Sequence, residues 1–173
     1  GPALWQPGRR AAGPRQVRRA MDLILWRHAE AEVLAPGGDG LARALTPRGE
    51  KEAARVGAWL DRKLPEGARI LCSPARRCEQ TAMALGRKYK VRPELAPDVD
   101  PRQLLEAAQW PNARGMVVIV GHQPTLGQVI AQLLGMEEGA CAVRKGAAWW
   151  LRAREREGVL QTVVVAVQPP DLA

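Results

Sequence analysis

Apolar residues along this chain fall into short continuous blocks, separated by stretches in which they recur every three or four positions. Leu23-Ile24-Leu25-Trp26, Ile70-Leu71-Cys72 and Val117-Val118-Ile119-Val120 are blocks too short for helices. Such runs form strands buried on both faces, as in a parallel sheet covered by helices. They predict strands over about 22–27, 69–72 and 116–120. Thr46-Pro47 with Glu50 is a helix start, combining a capping hydroxyl, a proline at the first helical position and an early acid. Ala53, Val56, Gly57 and Leu60 then share one face, so that helix runs to about Lys63, where Pro65-Glu66-Gly67 ends it. A second helix opens after Pro74 and turns Cys78, Thr81, Ala82 and Leu85 inward.

The pattern thins between 90 and 115, where it predicts a short strand at Lys90-Val91-Arg92 and a helix near Pro101–Ala108. Pro124 to Leu134 is a helix closed by Gly135. Residues 141–153 and 159–167 read as two strands around the polar stretch Arg154-Glu155-Arg156-Glu157-Gly158, antiparallel partners at one side of the sheet. The fold class is therefore α/β: a three-layer α/β/α sandwich with a mostly parallel central sheet and an antiparallel C-terminal strand pair.

A length of 173 residues suits one domain, placed at 21–173. Residues 1–20 are rich in Gly, Pro and Arg and precede the first apolar block, so they are read as a disordered extension or an artefact of cloning or start-site assignment. The formal charge of +8 suggests a nucleic-acid partner, yet Arg9, Arg10, Arg15, Arg18 and Arg19 supply five of those charges. The remaining +3 over 21–173 argues against nucleic-acid binding as the domain's role. Cys72, Cys78 and Cys141 show no metal-ligand spacing, and an odd number of thiols without a secretory signal points to the reducing cytoplasm. No apolar stretch has membrane-spanning length.

Chemistry enters through the two histidines. His28 and His122 each follow an apolar run, at the carboxyl ends of strands where open α/β sheets bind ligands. Arg27 adjoins the first, and Arg77 lies just past a third run, at a helix start. Arg76 and Arg77 point about 100° apart on a helix, so only one of them faces a common pocket. Guanidiniums offer planar bidentate forks that stay charged, suited to the equatorial oxygens of a phosphoryl group in transfer. A neutral imidazole supplies a nucleophilic lone pair near pH 7, which makes His28 the candidate for a phosphohistidine intermediate.

Four segments carry a family resemblance: Leu25-Trp26-Arg27-His28-Ala29, Leu45-Thr46-Pro47-Arg48-Gly49-Glu50, Ser73-Pro74-Ala75-Arg76-Arg77-Cys78-Glu79-Gln80-Thr81-Ala82 and Val120-Gly121-His122-Gln123-Pro124. In order and spacing they resemble the histidine phosphatase superfamily, the phosphoglycerate-mutase-like fold, and within it the short SixA-type phosphohistidine phosphatases. The resemblance covers about 21–167. It implies catalytic residues His28, Arg27, Arg77 and His122, with His28 as nucleophile, and neither metal nor cofactor. The family's glycine after the Arg-His pair is Ala29 in this chain. The glutamate proton donor of many members has no counterpart; Asp98, Asp100 and Glu106 are the acids in that segment, and Asp98 and Asp100 also suit turn and cap positions.

The expected activity is that of a metal-independent phosphatase working through a phosphohistidine on His28, with a phosphorylated protein such as a histidine-phosphotransfer domain as substrate. The alternatives are a phosphatase of a small anionic phosphomonoester and a non-catalytic phosphate-binding scaffold. Lys145, near the predicted pocket rim, and Arg43, in the long first loop, are placed where either could meet an anionic substrate, with exposed solubility charges the preferred reading, and at least one of Glu30 and Glu32 is expected to face solvent. Trp59, Trp149 and Trp150 read as packing residues.

Overall fold

The computed structural model describes residues 18–173; the expected N-terminal extension lies, over 1–17, outside the described residues. Six strands form one sheet: β1 (Arg18–Arg27), β2 (Arg69–Cys72), β3 (Lys90–Val91), β4 (Met116–Gly121), β5 (Ala148–Arg156) and β6 (Val159–Gln168). Their order is β3-β2-β4-β1-β5-β6. The first four are mutually parallel, while β5 runs antiparallel to both β1 and β6. This is the mixed sheet expected from the apolar pattern.

Helices α1 (Pro47–Lys63) and α2 (Arg76–Met83) cover one face, and α3 (Pro101–Ala108) and α4 (Thr125–Leu134) the other. The strand period of two divides each central strand between the layers. Ile24, Trp26, Val118 and Val120 pack with Val56, Leu60, Cys78 and Ala82, whereas Leu23, Leu25, Val117 and Ile119 pack with Leu104, Leu126, Val129 and Ile130. Thr46 caps α1 by accepting from the Gly49 amide at 2.9 Å, and Gly135 ends α4 in a left-handed conformation. The helices therefore begin and end where their caps required.

Two strand assignments differ from expectation. β1 starts at Arg18, with Arg18 opposite Glu155 and Arg19 opposite Arg154, because β5 is long enough to pair beyond the apolar block. Residues 141–147 are not strand: β5 begins only at Ala148, and the preceding segment crosses the ends of β1 and β4 as a loop. Its hydrogen bonds go to the end of β1, to α4 and to Gln123 in the loop after β4 rather than to a strand ladder, as when the Gly146 amide donates to the carbonyls of Arg27 and His28 at 3.2 and 3.0 Å and the Cys141 amide to the Gly127 carbonyl at 2.8 Å. The C-terminal hairpin turns at Glu157-Gly158 alone, both with positive φ. That two-residue turn matches the twist of its strands, so Arg154, Glu155 and Arg156 remain in β5. No helix among the described residues is long and apolar enough to cross a membrane.

One polar cluster is built into the sheet. Asp22 on β1 is 2% exposed and stands opposite Arg152 on β5. Arg152 donates to it from Nε at 2.8 Å and Nη2 at 3.0 Å, and Trp150 donates its indole N–H at 3.0 Å. Breaking a bidentate pair around a buried carboxylate is costly, although the surviving Arg152, 17% exposed, keeps some access to water. Asp22→Ala is expected to lower the unfolding free energy by about 1.5–3 kcal/mol, the size of hydrogen bonds to a charged group, seen as a lower urea midpoint at unchanged slope, and Asp22→Asn to lose less.

Candidate active site

The parallel register of β1 and β4 places Arg27 opposite Gly121, so the next residues on each strand, His28 and His122, emerge side by side. Their ring centroids are 5.3 Å apart with planes inclined at 57°. On the other flank of β4, Cys72 is opposite Val120, and the chain leaves β2 through Ser73-Pro74-Ala75 into α2. β1 and β2 lead to helices on one face and β4 to a helix on the other, so the three strand ends open onto a topological switch point. There a cavity of about 250 Å³ is lined by Arg27, His28, Arg77 and His122, together with Arg43, Lys145 and Asp98.

Each histidine has a defined tautomer. Nδ1 of His28 lies 2.7 Å from the Ala29 carbonyl, which only accepts, so Nδ1 carries the proton and Nε2 holds the lone pair. His122 receives the Arg77 Nη2–H on Nδ1 at 3.2 Å, so its proton sits on Nε2 and is donated to Ser73 Oγ at 2.7 Å. Both rings are buried, at 6% and 4% exposed. Desolvation, followed among the opposing influences by the charges of Arg77 and Arg27, lowers His28 to about 4 despite the Ala29 hydrogen bond, which favours the charged form. Desolvation, then the Arg77 charge and His28, lower His122 to about 3. Both imidazoles are neutral at physiological pH.

The guanidiniums are held by carbonyls, not carboxylates. Arg27 Nη1 donates to Val143 O at 2.7 Å, and Arg77 Nη1 donates to Gly40 O at 3.0 Å. Arg77 is only 7% exposed, and the Nε atoms of both arginines are buried without a hydrogen-bond partner. Arg76 is exposed and reaches the Ala42 carbonyl at 3.5 Å, so of the adjacent pair it is Arg77 that enters the pocket, as the helix geometry required.

The loop after the nucleophile candidate is fixed from two sides. The Ala29 amide donates to Thr81 Oγ1 on α2 at 3.1 Å, and Thr81 in turn donates to the Arg77 carbonyl at 2.8 Å. The Thr46 amide donates to the Glu30 carbonyl at 3.0 Å, and Thr46 Oγ1 donates to the Glu30 carboxylate at 2.7 Å. Gly49 packs so closely on the Glu30 backbone that a Cβ there would collide with its carbonyl oxygen. Glu30 is thereby turned toward the start of α1, and Glu32 is exposed, so neither carboxylate lines the anion pocket.

The four residues expected to act together do converge. Arg43 and Lys145 line the same cavity, which favours the alternative of a contact with an anionic substrate over their preferred reading as solubility charges; the long loop after β1 and the 141–147 loop fold back over the strand ends. Asp98 also lines it, whereas Asp100 caps α3 and Glu106 pairs with Arg102 at 3.4 Å on the surface. Ser73, Thr81 and the Val143 carbonyl were not read from the sequence as site groups: the first two lie inside the Ser73–Ala82 segment, with Thr81 read only as an inward-facing residue, and the third is a backbone group that no side-chain pattern encodes. Cys78 packs against the His122 ring with Sγ 3.4 Å from Nε2, and burial pushes its thiol up to about 12, so it is a packing group and not a thiolate. Among the described residues no three His, Cys, Asp or Glu side chains gather in a way that could hold a metal ion.

A pocket of fixed cations and neutral imidazoles at the strand ends of an α/β sheet is suited to a tetrahedral oxyanion. The profile of the histidine phosphatase superfamily (branch 1) matches residues 23–107. The phosphohistidine phosphatase SixA homolog of Haemophilus influenzae is 30% identical over 130 residues, which is 66% of this chain and 78% of that protein. Phosphohistidine phosphatase SixA of Escherichia coli is 30% identical over 121 residues, 65% of this chain and 74% of its own. A solved structure of the protein histidine phosphatase SixA complexed with tungstate superposes with a TM-score of 0.69 at 25% identity, over 87% of this chain and 98% of that one. The chain belongs to the histidine phosphatase superfamily and is a phosphatase of the SixA type.

The pKa directions fix how acid acts on the fold. Each histidine is lowered from about 6.5 when unfolded, so the unfolded chain takes up protons first as pH falls. The stability held by keeping them neutral is complete above pH 6.5 and is lost progressively as pH falls toward 4 and 3. The melting temperature should therefore fall between pH 6.5 and 5, less steeply in His28→Asn, and the acid limb of kcat/KM should lie below pH 5 instead of near 6.5.

Proposed function

We propose that this protein hydrolyses phosphohistidine on a phosphorylated protein, through a covalent phosphohistidine on Nε2 of His28. The observation that carries this reading is the convergence on one cavity of two guanidiniums held by backbone carbonyls and an imidazole whose lone pair is free on Nε2. Because neither arginine pairs with a carboxylate, their full charge is available to the equatorial oxygens.

In the first step the His28 Nε2 lone pair forms a bond to phosphorus, and the bond to the leaving atom breaks with its electron pair. The positive charge that develops on the His28 ring is supported at Nδ1–H by the Ala29 carbonyl. Water then attacks phosphorus, the P–N bond breaks, and its electrons return to Nε2. His122 is neutral and presents the acceptor Nδ1 to Arg77. Its Nε2–H is held by Ser73 Oγ, so His122 fixes the Arg77 guanidinium in the pocket as an acceptor.

The likeness to SixA supports phosphohistidine over a small monoester, and the three free cysteines fit a cytoplasmic setting. Rapid-quench trapping with a labelled phosphoramidate tests the mechanism. The parent should carry an acid-labile, base-stable label; His28→Ala should carry none and lose turnover by about 10³-fold or more. Arg77→Ala should lose about 10²–10³ in kcat. Full turnover in His28→Ala would sink the proposal.

A further inference from the structure

An exposed acidic residue stands at the rim of the pocket, where an anion site does not call for one. Arg27, Arg43, Arg77 and Lys145 line the cavity with Asp98, its one acidic lining residue among those described. A negative group facing a phosphoryl dianion opposes its binding. The backbone makes the choice more pointed. Asp98 follows Pro97 in a turn and has φ of 64°, a left-handed conformation that glycine adopts without the steric cost of a side chain. A carboxylate is thus kept where glycine would relieve both the backbone and the charge.

The segment is also fixed in place. Leu95 is buried in the α3/α4 layer, Thr125 Oγ1 at the start of α4 donates to the Val99 carbonyl at 2.8 Å, and Asp100 is committed to the α3 capping box. Asp98 is therefore presented to the pocket by anchored neighbours on both sides.

We propose that Asp98 selects the N-phosphorylated imidazole as the leaving group, by accepting a hydrogen bond from the ring nitrogen that does not carry phosphorus. This deepens the phosphohistidine reading and rests on it. When the P–N bond breaks, its electron pair stays on the leaving nitrogen. If the distal ring nitrogen bears a proton, neutral imidazole departs; if it does not, imidazolate must depart, which is far less favourable. A carboxylate beside the distal N–H favours the protonated ring. A phosphomonoester has no such N–H, so to it Asp98 offers only repulsion. One residue then discriminates between the two substrate classes by opposite effects.

The test compares kcat/KM of the parent, Asp98→Asn and Asp98→Gly on phosphohistidine, on phosphoramidate, which has no distal ring nitrogen, and on p-nitrophenyl phosphate. Asp98→Gly suits the left-handed backbone, so its loss of activity cannot come from a strained fold. Both variants should lose about tenfold or more on phosphohistidine, the size of one hydrogen bond to a charged group. On the other two substrates they should be unchanged or up to several-fold faster. Equal losses on all three, or no loss on phosphohistidine, would overturn the assignment. A parent that turns over p-nitrophenyl phosphate but not phosphohistidine would overturn the substrate reading itself.

Discussion

The register between β1 and β4 is the constraint on which the site depends. Arg27 pairs with Gly121, and the His28 amide donates to the Gly121 carbonyl at 3.1 Å, so the two histidines leave the sheet together. Along β1, Ile24 and Trp26 face α1 and α2, and along β4, Val118 and Val120 do the same. His28 and His122 continue that parity toward the side from which α2 delivers Arg77. A slip of one residue would turn one imidazole to the α3/α4 side and simultaneously expose each strand's apolar set to the wrong layer. The packing that stabilises the core and the alignment that brings the imidazoles together are thus the same set of contacts.

Around that alignment the protein gathers positive charge without neutralising it. Carbonyl oxygens of Val143 and Gly40 hold Arg27 and Arg77 in place, where carboxylates would have cancelled the field intended for a ligand. The charge has a consequence for the neighbouring imidazoles: it adds to desolvation in keeping both neutral. A neutral His28 keeps its lone pair. In the proposed mechanism, electrostatic preparation for the anion and activation of His28 are therefore one arrangement, in which the arginines serve both by remaining unpaired with acids.

Much of this was legible in the chain because two periods and their punctuation were clear. The 69–72 strand, the α1 span ending at Lys63 and the 101–108 helix appear as the apolar spacing and caps dictated. The convergence of Arg27, His28, Arg77 and His122 was legible in short motifs because the side chains suited to an oxyanion are of few types. What was hidden depends on distant chain. Residues 141–147 are apolar enough for a strand, yet the Trp26 indole bonds to the Gly146 carbonyl at 3.1 Å and the Gly146 amide to the end of β1, which keeps the segment a loop. Arg43 and Lys145 look like ordinary surface charges until those loops fold over the strand ends. Asp22 reads as a polar strand start until β5 brings Arg152 opposite it.

That loop also links the site to completion of the fold. The support of Arg27 comes from Val143, and the backbone at His28 is held by Gly146, residues more than a hundred positions later in the chain. Contacts of such sequence separation form only after the intervening chain has been ordered. The 141–147 segment is itself positioned by β5, which pairs with β1 from Ala148 onward, opposite Trp26. The antiparallel C-terminal pair, remote from phosphate chemistry in sequence, therefore determines where the first arginine points. In a fold whose reactive residues are spread over most of the chain, an assembled phosphate pocket requires β5 to be docked on β1.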